Sequence, residues 1–500
     1  MRFGYNESGI RFAGVIGMDI PSILISLVMI SNLIFAIIMI FKERRDVGAT
    51  WAWLLVLFFV PVLGFILYIL LGMQSLKREQ LFQWEDLDKV GIGEVYNNQL
   101  AQLESGQFQF RNEAEKKHQD LIYMLLKNNY AILTENNAVE IITDGREKFD
   151  KLFADIANAR SYIHIQYYII QNDSLGNRLI QALTEKAKEG VTVRVLYDDL
   201  GSRRLTRSFF KKFREAGGQA EAFFPSKLRF INLRMNYRNH RKLIVIDGEI
   251  AYIGGFNVGD EYVGLHKKFG YWRDTHLRIE GPAVYLIQTR FILDWNQASA
   301  EHKIAYDPDL FPPFAAKGEI GVQIVTSGPV SQYPHIKNGF LKMIASAQKS
   351  IYIQTPYFIP DTSLMDALTI ALLTGVEVNI MIPDKSDHPF IRWASLAHIG
   401  ELLKCGANVY LYNKGFIHAK SIVIDEEIAS VGTANMDVRS FKLNFEANAF
   451  LYDERLAKQL NDTFREDMKV STLLTYEEYL QRPLNVRFKE SISRLLSPIL

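Results

Sequence analysis

The chain has 500 residues, 48% of them hydrophobic, with a formal net charge of +1 and a single cysteine. That length and composition allow two or three domains with large cores and exclude a disordered chain. Near-neutral charge argues against a dedicated nucleic-acid binder, and the lone Cys405 excludes an intramolecular disulfide and any cysteine-based metal site.

In chain order, the first elements are apolar. Residues 20–41 and 47–76 carry no formal charge. Each is long enough for a helix across a hydrocarbon core of about 30 Å. Lys42-Glu43-Arg44-Arg45-Asp46 is the tight turn between them, so residues 1–76 are expected to form a two-helix transmembrane anchor. A cleaved signal peptide fits less well, because a second apolar stretch follows at once and no small-residue cleavage site precedes the basic cluster. Pro61 and Gly64 are tolerated inside a membrane span and would kink it. The positive-inside tendency puts the Lys42–Arg45 turn in the cytoplasm and the remainder on the outer face, while Lys77 and Arg78 pull the other way. Residues 77–135 are polar and amide-rich, and predict helices packed beneath the membrane or against the segment that follows.

Beyond residue 135 the chain is built twice. Ile163-His164-Ile165-Gln166 resembles Ile351-Tyr352-Ile353-Gln354, and Gly190-Val191-Thr192-Val193 resembles Gly375-Val376-Glu377-Val378. Strand and helix alternate in both halves, which predicts α/β units with parallel sheets, the first over 136–310 and the second, with a tail, over 311–500. Gln166 and Gln354 are candidates to line a site, whereas His164 and His388 read as structural.

A small polar group recurs within this duplication. His240, Lys242 and Asp247 stand at the spacing of His418, Lys420 and Asp425, followed by Gly254 and Asn257 in one copy and Gly432 and Asn435 in the other; each pair is 178 positions apart. Leu243–Ile246 and Ser421–Ile424 read as strands closed by a turn at Asp247-Gly248 and at Asp425. Residues two apart share a strand face, so His240 points with Lys242 and His418 with Lys420. Asp247 and Asp425 have the wrong parity. They complete the candidate catalytic set of six, but as turn or supporting residues. Two imidazoles, two ammonium groups and the amides of Asn257 and Asn435 suit an anionic phosphodiester: the cations and amides hold phosphate, and one imidazole attacks while the other moves the proton. Asp274 and Glu446, downstream of the two motifs, are candidates to orient the histidines. This chemistry calls for no metal and no cofactor.

Two stretches suggest lipid contact. From Phe223 to Arg241, aromatic and aliphatic residues mix with Lys227, Arg229, Arg234, Arg238 and Arg241, a composition suited to anionic headgroups. In the tail, Phe488, Ile492, Leu495, Leu496 and Ile499 have helical spacing. Packing on the protein is the favoured reading of that tail face.

The double His-x-Lys-x4-Asp pattern, each copy followed by Gly-x2-Asn, resembles the phospholipase D superfamily. With the N-terminal run Trp51-Ala52-Trp53-Leu54-Leu55 and the segments Tyr271-Trp272-Arg273-Asp274 and Asn444-Phe445-Glu446-Ala447-Asn448, the layout resembles the bacterial cardiolipin synthases. Gly255 and Thr433 depart from it, standing where many relatives carry Ser. The resemblance implies two α/β repeats about a pseudo-twofold axis with one active site at their junction. It also implies a multi-pass protein of the bacterial cell membrane. The implied activity is phosphatidyl transfer through a phosphatidyl-histidine, with His240 as nucleophile and His418 as acid and then base. Two phosphatidylglycerol molecules would give cardiolipin and glycerol, with membrane lipids and no nucleic acid as partners. Hydrolysis of phospholipid to phosphatidic acid is the alternative within enzymes, and a non-enzymatic lipid-binding protein the alternative outside them.

Overall fold

A computed structural model describes residues 20–41, 47–69, 92–206, 208–225, 236–313, 315–387 and 389–495. The Lys42–Arg45 turn, Lys77, Arg78, Lys227, Arg229, Arg234, His388, Leu496 and Ile499 lie outside these residues. The chain divides into two units, Met1–Leu81 and Phe82–Leu500.

In the first unit Ile20–Phe41 is a helix of 22 residues. At 1.5 Å per residue it extends about 33 Å, enough to cross a bilayer core. Among the described residues it is the one helix that meets that test. The expected second span is instead interrupted: Val47–Phe59 and Pro61–Leu67 are separate helices. Proline is the cause, since Pro61 has no N–H to give the carbonyl of Leu57. Asn32, buried in the long helix, supplies the missing donor: its Nδ2 lies 3.2 Å from the Leu57 oxygen and 3.1 Å from the Pro61 oxygen. A buried amide bridging two helices in lipid is worth about 1 kcal/mol. We expect Asn32→Leu to weaken the pairing of these helices by about that amount, read as faster proteolysis of the anchor in detergent.

The second unit holds two sheets with one strand order. In the first, strands run Thr134–Asp144, Tyr271–Glu280, Ile250–Gly254, Leu243–Ile246, Tyr162–Tyr167, Thr192–Asp198 and Gln219–Phe223. In the second the order is Ile320–Ser327, Asn444–Tyr452, Ile428–Gly432, Ser421–Ile424, Ser350–Gln354, Glu377–Pro383 and Asn408–Tyr412, with Ser471–Leu474 added at the edge. Both sheets are mixed, not parallel as expected. The motif strand and its return strand are joined by a tight turn, which forces an antiparallel pair, and only the last three shared strands are parallel.

The motif strands are buried on both faces, which is why they read as unbroken apolar runs. Ile244 and Ile246 face an outer core with Phe149, Leu152 and Leu179 of covering helices. Leu243 and Val245 face a core shared with Val423 and Val431 of the other repeat. The predicted connecting helices exist as Gly93–Glu104, Glu113–Lys117 and Gln119–Asn129. They pack on the second repeat rather than the first, with Leu121 and Leu125 among Phe340, Met343 and Ile344.

The tail forms the helix Leu484–Leu495, but its expected packing face is reversed. Phe488, Ile492 and Leu495 are exposed, while Glu490 and Ser493 are buried. Glu490 is held by Arg482 at 2.6 Å, so a buried ion pair, rather than the apolar spacing, decides which face turns inward.

Candidate active site

Each motif hairpin turns on left-handed residues: Asp247 and Gly248 at φ 53° and 68°, Asp425 and Glu426 at 55° and 59°. The loop between the paired Ile246 and Ile250, as between Ile424 and Ile428, is three residues long, and its two left-handed residues form a tight turn that suits the twist of antiparallel strands. Asp247 accepts the backbone N–H groups of Arg160, Ser161 and Tyr162 at 2.8–2.9 Å. Asp425 accepts those of Gln348, Lys349 and Ser350, each at 2.8 Å. The two carboxylates therefore stand at the far end of their strands from the histidines and tie the turn to the start of the neighbouring strand. Placing them in a catalytic set is corrected accordingly. Asp247→Ala removes three charge-assisted bonds, and we expect it to cost about 3 kcal/mol or more of unfolding free energy in denaturant melts while the folded fraction keeps its turnover.

The histidines are positioned by the opposite repeat. Arg238–Asn239 lies parallel to Asn444–Phe445, and Gly415–Ile417 lies parallel to Tyr271–Arg273. The His240 N–H donates to the Phe445 carbonyl at 2.9 Å and the His418 N–H to that of Arg273 at 2.7 Å. Consequently the side chains pair crosswise. His240 Nδ1 is 3.0 Å from both oxygens of Glu446, and His418 Nδ1 is 2.7 Å from Asp274 Oδ2. A proton held on Nδ1 by these carboxylates leaves Nε2 as the lone-pair nitrogen.

The departures at Gly255 and Thr433 have a physical reason. A Cβ on Gly255 would fall 1.9 Å from Asp274 Oδ1, so only glycine leaves room for that carboxylate. Thr433 instead donates its hydroxyl to Glu446 Oε2 at 2.5 Å. Gly254 and Gly432 likewise admit the adjacent strand, since a Cβ would lie 2.5 Å from His276 Cα or 2.4 Å from the Ala447 oxygen.

Lys242 Nζ donates to the His240 carbonyl at 2.6 Å, and Lys420 Nζ to that of His418. The two motifs thus bring two imidazoles, two amines and two carboxylates together, all buried. Of the asparagines, Asn257 accepts from the Ile169 N–H at 3.2 Å, and Asn435 donates to Asp437 at 3.1 Å. Tyr168 packs edge-on against His240 at 4.9 Å and Trp272 lies 5.2 Å from His418.

Burial lowers both imidazoles. His240 falls below its usual value, burial outweighing Glu446, and His418 is pushed down to about 4 by burial and then Lys420. Asp274 and Glu446 are raised by burial, but the facing cations and histidines win and hold both below the ordinary carboxylate range. Burial also lowers Lys242 well below a free amine and Lys420 to about 8.

We expect phosphate binding to take up protons near pH 8 to 9, because the anion raises a Lys420 value that starts near 8. Calorimetry in buffers of different ionisation enthalpy reads this, and Lys420→Met should abolish most of it. The linkage has the matching sign. A lysine lowered on folding binds fewer protons than the unfolded chain between about pH 8 and 10.4, so its contribution to stability rises with pH across that window.

Several supporting residues escape motif reading. Arg241 pairs with Asp294 at 2.6 Å, and Arg273 with Asp467 at 2.9 Å. Gln166 and Gln354 reach these same aspartates at 2.7 and 2.9 Å, so they brace the site from behind. The available signal is spacing: Asp294 lies 20 positions after Asp274, and Asp467 lies 21 after Glu446. Arg241 and Arg238 are each 2% exposed, which removes both from the expected lipid-facing surface. His164 is a core residue, stacked on Phe291 at 4.5 Å and bonded to Gln288.

Comparison with known proteins agrees with this architecture. A family model described as "Cardiolipin synthase, PLD-like domain" matches residues 152–280 and 340–468, and one described as "Phospholipase_D-nuclease N-terminal" matches 32–72. The chain is 65% identical to "Major cardiolipin synthase ClsA" of Bacillus subtilis, over 97% of this chain and 100% of the relative. It is 55% identical to "Cardiolipin synthase" of Listeria welshimeri, with the same coverage. With "Cardiolipin synthase 2" of Staphylococcus epidermidis it shares 56% identity over 96% of this chain and 99% of the relative. A crystal structure of phosphatidylserine synthase from Haemophilus influenzae superposes with a TM-score of 0.60 at 15% identity, covering 78% of this chain and 100% of that one, and so shares the fold.

Proposed function

Because the chain belongs to the cardiolipin synthases of the phospholipase D superfamily, we propose that it joins two phosphatidylglycerol molecules into cardiolipin and releases glycerol. The observation that carries this reading is the crosswise pair of dyads, His240 with Glu446 and His418 with Asp274. In the first step His240 Nε2 attacks phosphorus. A P–N bond forms, the P–O bond to glycerol breaks, and the departing oxygen takes a proton from His418. In the second step His418 takes the proton from a hydroxyl of another phosphatidylglycerol. That oxygen attacks phosphorus, the P–N bond breaks, and both histidines return to their starting state. Lys242, Lys420, Asn257 and Asn435 hold the phosphate oxygens as their charge grows. Low imidazole pKa values suit the nucleophile, and the bound phosphate raises that of the acid.

The protein works at a bacterial cell membrane. Ile20–Phe41 crosses the bilayer and the kinked pair Val47–Phe59 and Pro61–Leu67 returns across it, clipped through Asn32. The test is product analysis of the purified full chain in phosphatidylglycerol vesicles. Cardiolipin and free glycerol in equal amounts are expected. Phosphatidic acid as the dominant product would make the chain a hydrolase, and no lipid product would sink the reading.

A further inference from the structure

A reaction between two copies of one lipid meets a difficulty in a pseudo-symmetric site: donor and acceptor carry the same headgroup, and both are anionic. The two repeats differ in charge beside the site. After Thr192–Asp198 the chain carries Asp199, Arg203 and Arg204, whereas after the equivalent strand Glu377–Pro383 it carries Asp384, Lys385 and Asp387, with Asp384 paired to Arg392 at 3.3 Å.

Arg203 and Arg204 converge with His266 and Lys268 of a second loop on a cavity of about 390 Å³, walled also by Gly201, Glu261 and Phe269. Among the described residues no ion pair within 4 Å engages Arg203, Arg204 or Lys268, although Arg204 and His266 attract Glu261 at longer range. Glu261 is the single carboxylate in the lining, so the concavity carries an excess of positive charge.

The cavity is one aromatic layer from each histidine. On one wall Gly201 is packed so closely on Tyr168 that a Cβ would meet its ring at 2.7 Å, and Tyr168 lies against His240. On the other wall Phe269 touches Trp272 at 5.5 Å, and Trp272 lies against His418. The arginine loop is also fixed to the motif. Asp198 accepts the N–H groups of Leu200 and Gly201 at 3.0 and 2.9 Å, and that of Asn239, next to His240, at 2.9 Å.

We infer that this cavity binds the phosphodiester of the acceptor phospholipid, holding the second lipid's own negative charge while its headgroup hydroxyl reaches the reaction centre. This inference rests on the transferase reading above. A hydrolase has no use for a second anion site, because water carries no charge. The cationic cavity therefore sets which nucleophile arrives second.

The test uses the full chain in phosphatidylglycerol vesicles, measuring cardiolipin and phosphatidic acid together. The triple variant Arg203→Gln, Arg204→Gln, Lys268→Gln should lower the ratio of cardiolipin to phosphatidic acid at least tenfold. Arg203→Lys with Arg204→Lys should keep the parent ratio. Inorganic phosphate should slow both products equally by occupying the reaction centre. A selective loss of cardiolipin with inorganic phosphate would mean that the cavity takes free phosphate, and would overturn the lipid assignment. An unchanged product ratio in the triple variant, whether or not total turnover falls, would overturn the inference itself. Absence of cardiolipin from the parent enzyme would instead overturn the activity on which it rests.

Discussion

His240→Ala and His418→Ala should each lower cardiolipin formation by about 10⁴-fold or more, and the double variant should be scarcely worse than either single one. The histidines act as one unit: without a nucleophile no covalent intermediate forms, and without an acid the alkoxide of glycerol cannot depart. A donor with a good leaving group, which needs no acid, separates the roles. With such a donor His418→Ala should still trap a phosphatidyl adduct on His240, and His240→Ala should form none. Adduct in the second variant and not the first would reverse the assignment. Additive losses in the double variant would mean that the two groups serve independent sites.

The second large effect concerns the carboxylates. Glu446→Gln and Asp274→Asn keep the shape of each dyad but present an amide where Nδ1–H needs an acceptor, so the imidazole is free to adopt the wrong tautomer. A loss of about 10²- to 10⁴-fold is expected. The crosswise pairing adds a finer outcome. With the activated donor Glu446→Gln should slow adduct formation on His240, while Asp274→Asn, which acts on His418, should leave that step nearly intact and slow transfer to the second alcohol. If each carboxylate instead served the histidine of its own repeat, the two variants would exchange behaviour. Pre-steady-state measurement of adduct appearance and decay decides between them.

Much of this molecule is written in its residues. The apolar strands and the Asp247-Gly248 turn locate the first hairpin, and the common offset between the motifs carries it to the second, because those are local patterns. The partners of the histidines are another matter. Asp274 and Glu446 can be nominated from their positions, but which serves which depends on Asn239 and Ile417 docking beside the far strand, a tertiary event with no local signature. Arg241 misled for a similar reason: a cation beside a motif reads as surface until Asp294 arrives from a later helix to bury it. In the tail, apolar spacing pointed inward, yet Glu490 turned the helix over through Arg482. Pro61 was legible as a kink, but Asn32 as its complement was not, since nothing near residue 32 marks a carbonyl left bare elsewhere.

The exchange of carboxylates between repeats also bears on how the protein is made. Glu446 follows His240 by 206 residues. At roughly 5–20 residues per second the ribosome takes about 10–40 s to travel between them. During that interval the first half has its histidine and its lysine but neither the group that orients the imidazole nor the second base. On the proposed mechanism, a nascent chain is therefore expected to be chemically silent until nearly all of it has been synthesised, which spares the cell a half-built phosphodiesterase.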